Sequence, residues 1–178
     1  MKNPLVAVIM GSDSDIPVME HAVRVLEKFE IPFEMTVLSA HRTPDQAAEY
    51  ARGLASRGVK VLIAGAGWAA HLAGAVAAQT SIPVIGVPVD SSPLNGMDSL
   101  LSTVQMPPGV PVAAMAIGKG GAYNAGVFAV RILALLDPDL ARRYDLFTAQ
   151  TADDVLSGSN QKLADYMAKR TQEKGHLR

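Results

Sequence analysis

Residues 5–15 read LVAVIMGSDSD. An apolar run of strand length, without polar alternation, passes directly into a Gly-Ser-Asp-Ser-Asp loop, and Ser14 or Asp15 can cap a helix that starts at Ile16. A strand covered on both faces has this uniform composition, because helices on either side leave no wet face where polar residues would alternate. The pattern recurs outward along the chain. Runs of strand length at Leu5–Met10, Phe33–Leu38, Val59–Gly65, Pro83–Pro88 and Val110–Ile117 are separated by helical stretches at Ile16–Phe29, Pro44–Arg57, Trp68–Thr80, Gly96–Val104 and Ala122–Leu136. Thr43 before Pro44 marks a second helix start, a capping hydroxyl ahead of proline at the first helical position. This alternation predicts an α/β protein built on a three-layer doubly wound parallel sheet. Two further helices, Pro138–Ala149 and Thr151–Glu173, follow with no strand after them. The expectation is one domain over residues 1–178, with an α/β core at 1–136 and a C-terminal helical extension at 137–178.

Composition narrows the chemistry. The 178 residues carry a formal net charge of −1 and no block of like charge, so the basic footprint of a nucleic-acid binder is missing. The absence of cysteine removes disulfides, thiolate nucleophiles and cysteine metal sites together. From Val61 to Val89 there is no Asp, Glu, Lys or Arg, a length that would suffice for a membrane span. Gly65, Gly67, Gly74, Pro83 and Pro88 interrupt it, however, and it reads as strand, loop, helix, turn and strand. The N-terminal apolar run ends in Gly-Ser-Asp and not in a cleavage signal, so the expectation is a soluble, cytoplasmic protein with no membrane partner. A charge-free helix at Trp68–Thr80 should be buried on every side, which a single sheet cannot do; either the C-terminal helices or another subunit must cover it.

Ligands of open parallel sheets bind beyond the carboxyl ends of the strands, so the loops following the strands are the candidates. The first, Gly11-Ser12-Asp13-Ser14-Asp15, offers hydroxyls at a helix N-terminus that favours an anion, though plain capping by Ser14 or Asp15 explains it too. It matches neither a Walker motif nor a dinucleotide fingerprint, leaving a phosphate monoester or ribose as the ligand class. The second, Ser39-Ala40-His41-Arg42-Thr43-Pro44, sets an imidazole suited to proton transfer near neutrality beside a permanent cation. The alternatives are a surface histidine and an arginine paired with Asp45 or Glu49 along the next helix. The third, Ala64–Gly74, has small residues that let a ligand approach the backbone, and it holds His71 in apolar company, either buried and satisfied or functional. Asp90–Gly96 and Gln105–Pro107 are turn-rich segments able to cover a site or simply to connect. His21 falls within the first helix and His176 in the tail, so neither stands at metal-ligand spacing from His41, and no metal is expected. With no G-x-S-x-G elbow, Ser12 and Ser14 read as binders and not as nucleophiles.

Taken in order, GSDSD, SAHRTP, AGAGWAAHLAG, GVPV and SLLSTVQMP resemble the 5-(carboxyamino)imidazole ribonucleotide mutase family of purine synthesis, over about Leu5 to Leu136. The resemblance implies a flavodoxin-like fold, commonly a homo-octamer, that isomerises 5-(carboxyamino)imidazole ribonucleotide to 5-amino-1-(5-phosphoribosyl)imidazole-4-carboxylate with no cofactor or metal. Position by position it implies substrate binding by Ser12, Asp15 and Arg42, proton transfer by His41, and a second active-site histidine in His71. Ser14, Ser39, Ala40, Gly67 and Leu72, from the same loops, complete the candidate substrate-binding set. The implied reaction releases the nitrogen-bound carboxylate as trapped carbon dioxide, which the ring carbon then attacks while His41 handles the ring proton. Trp68 and Ala73 depart from the pattern AGAGGAAHLPG, so the shape of that loop is open: Trp68 either lines the pocket or packs at a subunit contact. A related carboxylase class, which uses free carbon dioxide and resembles SAHKT at the second loop, and a non-catalytic flavodoxin-like module binding a phosphorylated ligand or flavin remain as alternatives. Arg42 and AAHL favour the mutase, and the scarcity of aromatic residues weakens the flavin reading.

Overall fold

The computed structural model describes residues 3–175, with side chains through residue 171. Five strands, β1 (Val6–Met10), β2 (Phe33–Val37), β3 (Val61–Ala66), β4 (Val84–Pro88) and β5 (Ala113–Ala114), form a parallel sheet in the order β2-β1-β3-β4-β5. The chain winds one way from β1 to β2, then returns past β1 to β3, so the winding direction reverses between β1 and β3. The uniform apolar runs become the inner strands: every residue of β1 and β4 is buried. On edge strand β2 the run is less buried, and Met35 and Val37 are exposed.

The helices are α1 (Ile16–Lys28), α2 (Pro44–Gly53), α3 (Leu72–Ala77), α4 (Met97–Val104) and α5 (Lys119–Ala134). Helices α1 and α5 pack together on one face of the sheet, at a close crossing where a Cβ on Gly126 would meet the Ala22 carbonyl oxygen at 2.8 Å. On the other face Ala7, Ile9, Leu62, Ala64 and Val84 of the sheet join Ala47 and Ala51 of α2 and Leu72, Ala73 and Val76 of α3 in one apolar cluster. Truncating fully buried Leu62 in this layer to alanine is expected to cost about 2–5 kcal/mol.

Register fixes the height at which the loops leave the sheet. Met10 stands opposite Val37 of β2 and Gly65 of β3. The ladder runs on past the strand ends, with Leu38 N–H donating to the Met10 carbonyl at 2.9 Å, Gly11 N–H to Gly65 at 3.1 Å and Val89 N–H to Ala66 at 2.9 Å.

Several sequence expectations are corrected. Helix α3 is shorter than Trp68–Thr80: Trp68 takes a left-handed φ of 55°, which stops helical geometry until Leu72. Within the chain Leu72, Ala73 and Val76 face inward, while Ala75, and Ala78 just past the helix, are exposed. Helix α2 stops at Gly53 and continues as a 3-10 turn, Ala55–Arg57, closed by Gly58 at φ 90°. Strand β5 keeps only Ala113–Ala114 of the expected Val110–Ile117, and α5 begins at Lys119. The expected caps are redistributed: Ser12, and neither Ser14 nor Asp15, caps the turn before α1, and Thr43 makes no side-chain cap to α2.

By contacts the chain divides into two compact units, Met1–Leu136 and Asp137–Arg178. In the second, Asp137 caps α6 (Pro138–Asp153) by accepting from the N–H groups of Asp139 and Leu140. A π-helical turn, Asp154–Ser159, leads into α7 (Asn160–Gly175), so α6 runs on through Gln150 and the boundary between the two helices falls a few residues later than expected. No helix among the described residues is long and apolar enough to cross a membrane.

Candidate active site

Three strand ends at one height bring three loops together. A pocket of about 370 Å³ opens over the carboxyl ends of β1 and β3, where the winding direction reverses. All ten residues singled out from sequence line it: Ser12, Ser14, Asp15, Ser39, Ala40, His41, Arg42, Gly67, His71 and Leu72. Gly11, Ala66, Trp68, Ala69 and Ser91 complete the wall.

The β1 loop is a reciprocal cap. Ser14 N–H donates to Ser12 Oγ at 3.3 Å, and Ser12 N–H donates to Asp15 Oδ2 at 3.1 Å. The carboxylate of Asp15 thus turns back toward Ser12 instead of capping α1. Asp15 is only 3% exposed. Burial pushes its carboxyl above the ordinary value, while the hydrogen bond from Ser12 and the positive charge of Arg42 pull the other way.

The β2 loop is folded around Ser39. Its hydroxyl accepts from Arg42 N–H at 3.1 Å, and Thr43 Oγ1 accepts from Ser39 N–H at 2.9 Å and donates to the Ser39 carbonyl at 3.1 Å. Thr43 therefore serves its own loop, not the helix behind it. Arg42 reaches across to the β1 loop, where Nη2 donates to the Gly11 carbonyl at 2.9 Å, so its charge is not spent along α2 on Asp45 or Glu49.

The β3 loop places His71 at the N-terminal end of α3, and His41 Nε2 lies 2.7 Å from His71 Nδ1 with the rings edge to face. Contact between two ring nitrogens at this distance needs one to donate and one to accept, so a proton is held between the imidazoles. Both histidines are exposed, which overturns the buried, satisfied alternative for His71. Gly67 permits the loop's close approach to the β4 loop: a Cβ there would overlap the Ser91 hydroxyl.

Ser91 lies in a segment that the sequence offered as a cover or a simple connection, and Asp90 and Ser92–Gly96 do not line the pocket. Gln105–Pro107 do not line it either; Met106 packs beside Gly74. Gly11, Ala66 and Ala69 fall in the candidate loops but were not named as site residues, their only signal being small size. His21 is on α1 away from the pocket, and His176 lies outside the described residues. No three His, Asp or Glu residues among those described are grouped to hold a metal ion.

The arrangement combines a fork cation, hydroxyl donors and a proton-sharing imidazole pair, all groups for binding an anion and moving a proton. Known proteins are similar to this chain over most of its length. Residues 5–154 match the family model described as AIR carboxylase. The N5-carboxyaminoimidazole ribonucleotide mutase of Bacillus subtilis is 58% identical over 158 residues, spanning 89% of this chain and 98% of that protein. The phosphoribosylaminoimidazole carboxylase of Candida glabrata is 55% identical over 88% of this chain, but that match occupies only 27% of the longer yeast protein. Among solved structures, Treponema denticola PurE superposes with a TM-score of 0.80 at 27% identity, covering 89% of this chain and 98% of its own. With a family model spanning the whole α/β core and full-length relatives above half identity, the chain belongs to the AIR carboxylase family.

Proposed function

We propose that this chain is an N5-carboxyaminoimidazole ribonucleotide mutase of de novo purine biosynthesis, working without cofactor or metal. The observation that carries the mechanism is the His41–His71 pair, 2.7 Å apart inside a pocket that also presents Arg42 and the Ser12–Asp15 loop. The β1 loop and Arg42 supply the donors for the phosphoribosyl group: Ser12 and Ser14 hydroxyls, and a guanidinium already anchored on Gly11. Asp15, Ser39, Ala40, Gly67 and Leu72 shape the remaining contact surface.

In the reaction the bond between the exocyclic nitrogen and its carboxylate breaks. The electron pair stays on nitrogen, which gains a proton from His41, and carbon dioxide is left in the pocket. The electron-rich ring carbon attacks the carbon dioxide and forms the new carbon–carbon bond. His41 then takes the proton from that ring carbon. One proton goes out and one comes back, so the isomerisation closes without an external acid or base. His71 holds the other end of the shared hydrogen bond and fixes the His41 ring for both transfers. Confinement by Gly67, Ala69 and Ala40 keeps the two fragments close enough to recombine.

Assembly as a homo-octamer and a cytoplasmic location belong to the same proposal. The assembly is supported by an exposed apolar stripe at Met97, Leu101 and Val104 of α4, with Leu94 just before it, and by the uncovered Ala75 of α3 and Ala78 just after it. Sedimentation of the intact protein tests it, and a monomer refutes it. For the chemistry, turnover of 5-(carboxyamino)imidazole ribonucleotide is measured without ATP, bicarbonate or metal, comparing wild type with His41→Asn. Activity that the substitution abolishes is the expected result. Wild-type protein that acts only on aminoimidazole ribonucleotide with supplied carbon dioxide replaces the mutase by a carboxylase.

A further inference from the structure

Trp68 is the one tryptophan in the chain, and it stands in the pocket wall at 59% exposure. Its φ of 55° is left-handed, a conformation that disfavours a bulky side chain and that glycine would adopt without cost. The loop imposes it. On one side Gly67 is pressed against Ser91 and the Val89 carbonyl; on the other Ala70 is 1% exposed, and His71 N–H closes a tight turn onto the Ala69 carbonyl at 2.8 Å. Between two fixed points Trp68 has no freedom to rotate its backbone away, and its indole gains little burial in return. An exposed indole on a disfavoured backbone contributes little to the fold in this state, so its contribution is to be sought in a bound one.

The pocket holds no other carbocyclic ring. Its other two aromatic groups, His41 and His71, meet edge to face and are occupied with each other. Trp68 alone offers a free, neutral π-face at the mouth.

We propose that Trp68 is a substrate-binding residue whose indole stacks on the planar aminoimidazole ring and closes the pocket over it, excluding water while carbon dioxide is free. This rests on the mutase reading above. Stacking of a heteroaromatic base on an aromatic side chain is a sequence-tolerant, geometry-driven contact, and an overlying ring shields the site from solvent. The same contact raises binding and retains the gas, so two observables must move together.

Because Trp68 is unique, its emission reports its own environment. Product, 5-amino-1-(5-phosphoribosyl)imidazole-4-carboxylate, should shift that emission to the blue and protect it from iodide, whereas ribose 5-phosphate, which lacks the ring, should do neither. Trp68→Gly should raise KM by roughly ten-fold or more. It should also raise the ratio of released aminoimidazole ribonucleotide and carbon dioxide to product, while Trp68→Phe, which keeps a flat ring, should lose less than Trp68→Gly in both. Relief of the left-handed strain means that Trp68→Gly melts no lower than wild type, which a structural role for Trp68 would contradict. Emission that ignores product, emission that responds equally to ribose 5-phosphate or only to dilution of the protein, or a glycine variant with unchanged KM and release ratio each overturns the proposal. Wild type that fails to turn over 5-(carboxyamino)imidazole ribonucleotide at all refutes the mutase reading instead, a separate result.

Discussion

If His41 and His71 act as one unit, removing both should cost no more than removing the first. Replacing His41 by asparagine deletes the proton carrier. General acid–base catalysis by a positioned side chain contributes about 10²–10⁴ in rate, so kcat should fall by that factor, equivalent to about 3–5 kcal/mol of barrier. His71→Asn leaves the carrier but removes the partner 2.7 Å away. The loss of one such hydrogen bond is worth about 0.5–1.5 kcal/mol, or roughly 2–12-fold. In the double variant there is no imidazole left for residue 71 to orient, so its kcat should match His41→Asn alone. Initial rates at saturating 5-(carboxyamino)imidazole ribonucleotide for wild type, both singles and the double complete the cycle. Both side chains are exposed, so the variants should melt with wild type, and a rate change is not a folding change. A double variant slower than His41→Asn by the full His71→Asn factor would mean that the two histidines work independently, and the shared-proton argument would fall.

Three other substitutions test the walls of the site. Arg42→Lys keeps the charge but loses the fork that spans to Gly11, and a charged hydrogen bond of about 1.5–3 kcal/mol predicts a KM increase of roughly 10–150-fold, with kcat less affected. Gly67→Ala drives a methyl into the Ser91 hydroxyl and to 3.3 Å from the Val89 carbonyl; it should destabilise by about 1–3 kcal/mol in urea, and adding Ser91→Gly should restore part of the loss. For Asp15 the sign follows from burial: its carboxyl is held above the unfolded value, so its stabilising contribution is complete below the ordinary carboxylate value and lost as pH rises through the raised one. Urea titrations of wild type and Asp15→Asn should therefore show wild type losing ground against the variant from acid toward neutral pH, and a difference that does not change with pH would refute the assignment.

The sheet was legible where burial is complete. VAVIM and VLIAGA have no polar face, and they became β1 and β3 within a residue or two of the expected limits. The loops were legible because chemically distinctive residues follow the strand ends, and the fold brings Ser12, Ser14, Asp15, His41, Arg42 and His71 into one pocket. Misreadings occurred where composition is silent on backbone geometry. Trp68–His71 is apolar and charge-free like the helix after it, and nothing in its side chains announces a left-handed residue. Val110–Val112 and Met115–Ile117 have strand composition, but only Ala113–Ala114 pairs in register with β4, with Met115 N–H adding one further bond to the Gly86 carbonyl at 2.8 Å. Thr43 has the sequence of a cap, yet Ser39, four residues before it, takes its hydroxyl, a choice settled by loop shape and not by residue type.

The shared level of Met10, Val37 and Gly65 makes the spacing of the two histidines a property of the ladder. Each residue along a strand advances the chain by about 3.3 Å, a distance greater than the 2.7 Å separating the imidazoles. A single deletion inside β3 would thus disconnect the pair without touching either histidine. Length and residue identity are therefore constrained unequally: within β1, β2 and β3 the ladder fixes the number of residues while leaving their identities open to exchange.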